Sequence, residues 1–374
     1  MMRTILINAS NLKAGGGLQV ADSICGQLGR FNDIHFVVVL SSYLESTKER
    51  IKDFENVEAF TYDIPNTIKT ILLGRDNFLD DLVKNNRVDA VLTVFGPSRW
   101  TPKVPHLSGF ALPHLVIPES PFFKRMGYIE RIKWKLWCMI RGWSIKRSAN
   151  CFWTENPYIS TRLSKLFNTD KVYTVSNYYN QVFDTPTKWQ RDYILPPFEG
   201  ITCLSVSSYS NHKDFEITDG VIRYLRKEHP SFKIRFAFTF DESEMVVKED
   251  VKDCFLFIGK KAISEIPSLY EQSDIMFMPT LLECFTATYP EAMRMERPIV
   301  TTDMEFACGL CGDAACYFKA TDPVSAAEAL YKVSTDKEYA NSLVEEGKKR
   351  LILFDNYEQR TGKLIKLLEE ISEK

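Results

Sequence analysis

Short apolar runs rich in β-branched residues alternate with longer amphipathic stretches along the 374 residues of the chain. The runs are continuously hydrophobic, which is typical of strands covered on both faces and hence of parallel sheets with helices between them. The pattern therefore predicts a doubly wound α/β architecture. The predicted strands are TILINAS, HFVVVL, DAVLTVF, PHLSGFAL, CFWTEN and KVYTVSN in the first half, and ITCLSVSS, KIRFAFTF, CFLFIG, DIMFMPT and RPIVTTD in the second.

The chain is longer than one hydrophobic core usually serves, so we predict two domains. Residues 181–200 are rich in proline and polar residues and lack periodicity, which is typical of a linker. We expect an N-terminal domain over 1–180 and a C-terminal domain over 201–354. Residues 355–374 have the pattern of one amphipathic helix, which we expect to pack back on the N-terminal domain.

Charge and cysteine content narrow the function classes. The net charge of −2 provides no overall field that would attract nucleic acid, so nucleic acid is not an expected partner. The nine cysteines are scattered through apolar runs, which favours buried thiols and a reducing, cytoplasmic location. The opening MMRTILINAS turns polar after one short strand, so no signal peptide is expected.

The segment 274–303 carries two glutamates between a strand and a helix. The strand ends near Pro279, Glu283 lies in the loop, and the helix begins around Thr288. Ligands of open α/β sheets bind at the carboxyl ends of strands, where loop amides can hold a phosphate. A carboxylate there can accept hydrogen bonds from hydroxyls beside that phosphate. For Glu291, spacing alone favours another explanation, a capping box over Thr288–Glu291.

A second strand–loop–helix passage contains Lys213. We predict that this lysine lies at a helix start, at the carboxyl end of the strand ITCLSVSS. A cation is unfavourable at the positive end of a helix dipole unless an anion such as a diphosphate binds both. The alternative is a solvated lysine.

Three glycines, Gly15–Gly17, stand at the first strand–helix junction, where they would let the backbone approach a phosphate. They do not form G-x-G-x-x-G, and no acidic residue ends a second strand at the spacing of a dinucleotide site. A nicotinamide-dependent oxidoreductase is therefore the weaker alternative.

Glu283 and Glu291, separated by seven residues, resemble the signature of the retaining GT-B glycosyltransferases, particularly glycosyltransferase family 4. Three flanking segments are similar to family patterns as well: SEIPSLYEQSDIMFMPTLLECF to LPxLYxxAD followed by PSxxEGFG, EAMRMERPIVTTD to EAMAxGxPVVASD, and GDAACYFKATDPVSAAEAL to GDAAxxFxxxDxxxLAEAI. The resemblance implies a GT-B fold, with two Rossmann-like domains that face a central cleft. It also implies a nucleoside-diphosphate sugar as donor.

The resemblance assigns roles to individual residues in the C-terminal half. Glu291 would bind the ribose hydroxyls, Glu283 a hydroxyl of the donor sugar, and the backbone amides of Phe285, Thr286 and Ala287 the sugar and diphosphate. Lys213 matches the lysine of the family's GRxxxxKG stretch, but the arginine is missing, and Ser207 and Ser208 stand near its place. The resemblance therefore implies Ser208 as a donor-binding residue. The family usually has glycine at the positions of Cys284 and Thr286.

In the N-terminal half the resemblance points to Gly16 and Gly17 as donor-binding, because they match the family's glycine-rich loop. It also points to His114 as a catalytic residue, since a histidine near this place lies beside the donor sugar in the family. His106 is the competing candidate for that role, and Glu119 is expected to help shape the acceptor side.

Residues 122–147 hold eight Lys or Arg against one acidic residue, together with three tryptophans. Five apolar residues recur there at helical spacing: Ile129, Ile132, Leu136, Ile140 and Trp143. Such a helix suits the surface of an anionic membrane. A core-facing helix with a solvated basic side explains the pattern equally well.

These observations predict a retaining glycosyltransferase of the hexosyltransferase type. It would transfer a sugar to a hydroxyl of a glycan or lipid-linked acceptor in bacterial polysaccharide or lipopolysaccharide assembly, in the cytoplasm or peripherally on the inner face of the membrane. Lys213 and the loop amides would stabilise charge on the leaving diphosphate. No metal is expected, because no acidic cluster lies near the proposed phosphate seat, and no cofactor is expected, because the nucleoside-diphosphate sugar is a substrate. The missing arginine and glycines favour one alternative, a non-catalytic sugar-nucleotide-binding subunit.

Overall fold

A computed structural model describes residues 2–373 and divides them into two compact units. The first unit holds the chain up to Ile117, Gly127–Asn177 and the C-terminal segment from Asp355. The second holds Pro118–Met126 and Tyr178–Phe354. The expected linker at 181–200 thus lies within the second unit. The short segment Pro118–Met126, which the sequence pattern placed in the N-terminal domain, belongs to the second unit too.

The first unit contains a seven-stranded sheet with the order β3-β2-β1-β4-β5-β6-β7, and all its strand pairs are parallel. Its strands are β1 Arg3–Ala9, β2 Ile34–Leu40, β3 Val57–Thr61, β4 Ala90–Thr93, β5 His106–Gly109, β6 Cys151–Thr154 and β7 Val172–Thr174. Its helices are α1 Gly16–Cys25, α2 Glu45–Ile51, α3 Ile68–Leu73, α4 Asn77–Asn85, α5 Pro113–Val116, α6 Tyr128–Ser148 and α7 Pro157–Phe167.

The second unit contains a six-stranded parallel sheet with the order β10-β9-β8-β11-β12-β13. Its strands are β8 Ile201–Ser205, β9 Ile234–Phe238, β10 Phe255–Phe257, β11 Ile275–Met278, β12 Ile299–Thr302 and β13 Ala315–Phe318. Its helices are α8 Ile217–Glu228, α9 Ile266–Glu271, α10 Thr288–Arg294, α11 Glu305–Cys311, α12 Pro323–Thr335 and α13 Lys337–Leu351. The last helix, α14 Tyr357–Ser372, belongs to the first unit.

Burial of both sheet faces explains the continuous hydrophobicity of the central strands. In β1, Ile5 and Ile7 lie in one core and Leu6 lies in another, because successive side chains of a strand point to opposite faces. The first core also takes in one side of α14. The residues that α14 contributes are Leu364, Ile365, Leu368 and Ile371.

The predicted fold class is confirmed, and each of the eleven predicted strands is present. Two edge strands, β3 and β13, were missed. Side chains of β3 are exposed or only partly buried, so its sequence VEAFT has no continuous apolar run. The strand β13 has four residues and opens with two small ones, Ala315 and Cys316.

Chain order reverses at one point in each sheet, between β1 and β4 in the first and between β8 and β11 in the second. In open α/β sheets, ligands bind outside the carboxyl ends of the strands at such a point. Gly15–Gly17 follow β1, Lys213 follows β8, and Glu283 follows β11. The candidate residues therefore lie on the loops where ligands of this architecture bind.

Candidate donor-binding site

Two loops leave the second sheet side by side, because β8 and β11 are paired in parallel register, with Met276 opposite Leu204. The loop after β8 contains a short 3-10 turn, Asn211–Lys213. The loop after β11 leads into α10. A backbone hydrogen bond joins the two loops, since the amide of Leu281 donates to the carbonyl of His212 at 2.8 Å.

Lys213 and Glu283 form an ion pair across these loops, with Nζ 2.8 Å from Oε1. The pair is largely buried, with 14% of the lysine side chain and 16% of the glutamate side chain exposed. His212 approaches the same oxygen, with Nε2 at 3.9 Å. Burial by itself would raise the pKa of Glu283, but Lys213 and His212 outweigh it and lower that pKa to about 2. Glu283 is therefore ionised at neutral pH.

The prediction that Lys213 starts a helix is wrong. The lysine lies in the 3-10 turn, and α8 begins four residues later, at Ile217. Between them Asp214 adopts a left-handed conformation with φ of 53°, which interrupts the helical path. The lysine charge is balanced by Glu283 and does not oppose a helix dipole.

Segment Pro118–Met126 contacts both loops from within the same unit. Arg125 Nη2 donates to Oδ1 of the buried Asp214 at 2.5 Å. Ser120 Oγ donates to the carbonyl of Leu281 at 2.7 Å. These residues are missing from the sequence-based site, because no local pattern connects Arg125 with a partner 89 positions away.

Glu291 is a buried carboxyl in the first turn of α10, with 4% of its surface exposed. Its contact with Tyr270 is long, with the hydroxyl 3.4 Å from Oε2. Burial raises the pKa of Glu291 to about 7, although the Tyr270 hydroxyl acts in the opposite direction. The carboxyl is therefore divided between its two protonation states near neutral pH.

The capping-box explanation of Glu291 is wrong. The helix α10 has Ala287 at its N-cap position and no side-chain capping hydrogen bond. The Thr288 hydroxyl is instead hydrogen-bonded to that of Thr286, at 2.9 Å between the oxygens. Helix capping therefore does not account for a carboxyl buried at this position.

The loop residues before α10 are packed to different degrees. Phe285, Thr286 and Ala287 are half-buried, and the ring of Phe285 packs edge-on against Phe354 with centroids 6.2 Å apart. Cys284 is buried. The resembling family has glycine at the positions of Cys284 and Thr286. In this chain both side chains have contacts within the protein: Cys284 is buried, and the Thr286 hydroxyl is hydrogen-bonded to that of Thr288.

Ser207 and Ser208 lie in the loop after β8, upstream of the turn that carries Lys213. The Ser207 amide donates to Thr239 Oγ1 at 2.8 Å, and its hydroxyl donates to the carbonyl of Ser208 at 2.8 Å. Ser208 is exposed. No cation occupies the sequence position of the missing arginine, so Lys213 is the cation of this loop.

The glycine cluster of the first unit forms the start of α1. Gly15 is the N-cap residue, and its φ of 75° is a conformation that favours glycine. A Cβ atom added at Gly15 or Gly16 would meet no atom within 4 Å, whereas one at Gly17 would lie 3.4 Å from the side chain of Leu12. The backbone at Gly16 is therefore open to close approach.

His114 and His106 have different surroundings in the first unit. The His114 ring packs against Trp134 and Trp137 of α6, with centroid distances of 5.3 and 5.0 Å. His106 is buried, and its Nε2 lies 2.8 Å from Thr93 Oγ1. Burial lowers the pKa of His106 to about 4, so it is a neutral, structural histidine. Glu119 is an exposed residue of the second unit.

Comparison with known proteins identifies one matching family model. The family model "Glycosyl transferases group 1" matches residues 195–350, which contain Lys213, Glu283 and Glu291. No curated protein matches the chain.

Solved structures match the chain over nearly its whole length. A glycosyltransferase from Rickettsia africae has a TM-score of 0.71 at 16% identity, covering 99% of this chain and 98% of its own. A UDP-forming trehalose-phosphate synthase from Burkholderia vietnamiensis has 0.69 at 10%, covering 100% and 98%. Anabaena HepE, solved with UDP-glucose, has 0.65 at 12%, covering 99% and 100%.

The resemblance to the group 1 glycosyltransferases is thus confirmed over residues 195–350, and the GT-B fold is confirmed for the chain. Membership of family 4 within that group stays a prediction.

Proposed function

We propose that this chain, which has the GT-B fold and resembles the group 1 glycosyltransferases over residues 195–350, is a retaining glycosyltransferase of the hexosyltransferase type. It moves a sugar from a nucleoside diphosphate to a hydroxyl of a glycan or lipid-linked acceptor. The observation that carries the proposal is the buried Lys213–Glu283 pair where the order of the second sheet reverses. Two opposite charges at that point suit a ligand that has both a diphosphate and hydroxyls.

Each side chain of the pair has a distinct role in donor binding. The Lys213 ammonium stabilises the negative charge that builds on the departing diphosphate, in a site where solvent screening is weak. Both cationic contacts of Glu283 go to Oε1, which leaves Oε2 to accept a hydroxyl of the donor sugar. Glu283 orients the sugar and is not a nucleophile.

Glu291 binds the ribose hydroxyls, and the amides of Phe285, Thr286 and Ala287 meet the sugar and diphosphate. Support for this assignment comes from the burial of Glu291 without a capping role. Ser208, Gly16 and Gly17 stay predictions from the family resemblance as further donor-binding positions, and His114 stays a predicted catalytic residue. The proposed setting is bacterial polysaccharide or lipopolysaccharide assembly in the cytoplasm.

The test is nucleotide release from a panel of UDP- and GDP-linked sugars, beginning with UDP-sugars because HepE was solved with UDP-glucose. Lys213→Ala should lower kcat on the order of 100-fold or more through loss of charge stabilisation. Glu291→Gln should weaken donor binding about tenfold, since one hydrogen-bonded charge is lost. Lys227→Ala is a matched control, because Lys227 is an exposed lysine of α8 in a surface ion pair.

If Lys213→Ala and Glu291→Gln both kept the turnover and donor affinity of the unmodified protein, the proposed site would be wrong. Donor binding without release of nucleotide, whichever acceptor is added, would instead identify the chain as a sugar-nucleotide-binding subunit.

A further inference from the structure

The helix α6 exposes a continuous apolar stripe over most of its length. Six side chains form it, each between 47% and 71% exposed. Because a helix turns about 100° per residue, their spacing places them within an arc about 100° wide on one side of the helix. We call this stripe the α6 face; it comprises Ile129, Ile132, Leu136, Met139, Ile140 and Trp143.

The packed side of α6 is a different one. Trp134 and Trp137 contact His114, and Ile145 is fully buried in the last turns. A core-facing role for Ile129, Ile132, Leu136, Ile140 and Trp143, which was one explanation of the sequence pattern, is therefore wrong. The apolar stripe points away from the core, and exposed apolar patches of this kind mark interaction surfaces.

A second helix extends the α6 face at its C-terminal end. The Arg147 guanidinium donates to the carbonyls of Ile71 and Leu72, which ties the end of α3 to α6. Leu72 and Leu73 are both exposed there. The apolar surface therefore involves two elements of the first unit.

Positive charge flanks the α6 face on both sides. Lys133 lies next to one edge of the stripe, and Lys135 and Lys146 lie beyond the other edge; all three are exposed. Glu130 is the one acidic residue in the sequence of α6. The whole chain has a net charge of −2, so this surface is basic although the chain as a whole is slightly acidic.

We propose that the α6 face binds the surface of an anionic lipid bilayer, with the helix lying in the plane of the headgroups. Its apolar side chains enter the acyl boundary while the lysines reach the lipid phosphates. Among the described helices, none combines the length and hydrophobicity of a membrane-spanning segment. Under the proposed function, this contact places the enzyme beside a lipid-linked acceptor.

Charge argues against a second copy of the chain as the occupant. Two copies meeting through this face would bring the lysines flanking one stripe towards those flanking the other, with Glu130 as the acidic residue available to each helix. Like charges brought together oppose association, whereas anionic headgroups attract them.

The test is co-sedimentation of the full chain with vesicles of phosphatidylcholine, with or without phosphatidylglycerol. We expect binding to the anionic vesicles at low salt that weakens as salt is added. The variant Lys133→Ala/Lys135→Ala/Lys146→Ala should lower the partition coefficient on the order of 100-fold, because each lysine near an anionic surface contributes a severalfold factor. Leu136→Ser/Ile140→Ser should also release the protein.

The matched control is Ile352→Ser/Leu353→Ser, which removes two exposed apolar side chains just beyond α13. This control should bind vesicles as the unmodified chain does, and circular dichroism should confirm that every variant folds. Failure of the unmodified chain to bind anionic vesicles at low salt would overturn the proposal. So would a stable dimer that Leu136→Ser/Ile140→Ser converts to a monomer.

The vesicle assay contains no sugar nucleotide, so its outcome is independent of catalysis. A chain that binds vesicles but releases no nucleotide would refute the proposed function, but it would support membrane binding by the α6 face. A chain that turns over donor with a water-soluble acceptor but does not bind vesicles would support the proposed function and refute membrane binding by the α6 face.

Discussion

Two glutamates eight positions apart have opposite protonation behaviour. The pKa of Glu283 falls to about 2, whereas that of Glu291 rises to about 7. Both carboxyls are largely buried, so the difference comes from their neighbours. Glu283 has a lysine 2.8 Å away, and Glu291 has a tyrosine hydroxyl at 3.4 Å. One is a permanent anion near neutral pH, and the other can change its charge there.

Donor binding should depend on pH through Glu291. The ionised carboxyl accepts hydrogen bonds from ribose hydroxyls, and a proton competes with them. We therefore expect the affinity for UDP to increase as the pH rises through about 7, the pKa of Glu291. Calorimetric titration of UDP at several pH values measures this, and Glu291→Gln should flatten the slope. An equal slope in the variant would contradict the assignment.

The contribution of Glu291 to stability should show the opposite trend with pH. The folded-state pKa of Glu291 is raised from 4.5 to about 7, so the folded chain keeps a proton that the unfolded chain has lost in this window. The contribution of Glu291 to the free energy of unfolding should therefore fall as the pH rises from 4.5 to about 7, by at most about 3 kcal/mol. The lowered pKa of His106 acts in the opposite direction over the same range, so the fall is measured as the difference between the unmodified chain and Glu291→Gln. Urea unfolding at both pH values tests this, with Glu291→Gln as the comparison.

Breaking the ion pair should be costly in the absence of donor. Lys213→Ala leaves the Glu283 carboxylate buried without its counter-ion, and we expect a loss of about 3 kcal/mol in the free energy of unfolding at neutral pH. Adding Glu283→Gln should recover much of this loss, because the uncompensated charge is then gone. A double-mutant cycle gives the coupling energy, and additive effects of the two changes would show that the pair is not coupled.

At the scale of elements, the segment Pro118–Met126 supports the two loops that carry Lys213 and Glu283. Its Arg125 neutralises Asp214, the residue that directly follows Lys213 and is buried. Arg125 is a positioning residue in this arrangement, since it acts on the lysine turn through Asp214.

Arg125→Ala should leave Asp214 buried without a cation and loosen the turn that holds Lys213. We expect donor affinity to fall about tenfold, or about 1.4 kcal/mol, while the fold persists. Titration with UDP measures the effect, and Lys124→Ala, at the exposed neighbouring residue, is the matched control. Unchanged affinity in Arg125→Ala would show that the segment does not position the site.

Elements were predictable from sequence where one periodicity dominates. Buried strands such as β8 and β11 stand out as apolar runs, and α10 begins at Thr288, as the pattern predicted. Two finer predictions, the capping box over Thr288–Glu291 and the helix start at Lys213, were wrong because local interactions favoured other conformations. The hydroxyl of Thr288 bonds to Thr286 and caps nothing, and the left-handed Asp214 separates Lys213 from α8.

At the scale of the whole molecule, the fold class was predictable, but the path of the chain between the two units was not. Contacts that assign Pro118–Met126 and α14 to their units join residues far apart in sequence. The bond from Ser120 to Leu281 spans 161 positions, and Arg360 of α14 donates to Ser23 across 337. Apolar periodicity reports which face of an element is buried, but not which distant element covers it.

The helix α14 should be essential to the stability of the first unit. Leu364 and Leu368 are fully buried in its core, so Leu364→Ala or Leu368→Ala should each lower the free energy of unfolding by about 2–5 kcal/mol. Lys366→Ala, at an exposed position of the same helix, should change it little. Urea unfolding compares the three variants, and similar stability for all of them would show that α14 contributes little to the core.

The position of α14 also dictates the order in which the two units can mature during synthesis. The ribosome makes the residues of the second unit before it reaches Tyr357. The second unit therefore has its full set of strands while the first unit still lacks the helix α14, which covers part of its core. Nascent chains would therefore expose apolar surface of the first sheet during that interval, a substrate for chaperones and proteases. The half that is begun first is thus the half that is finished last.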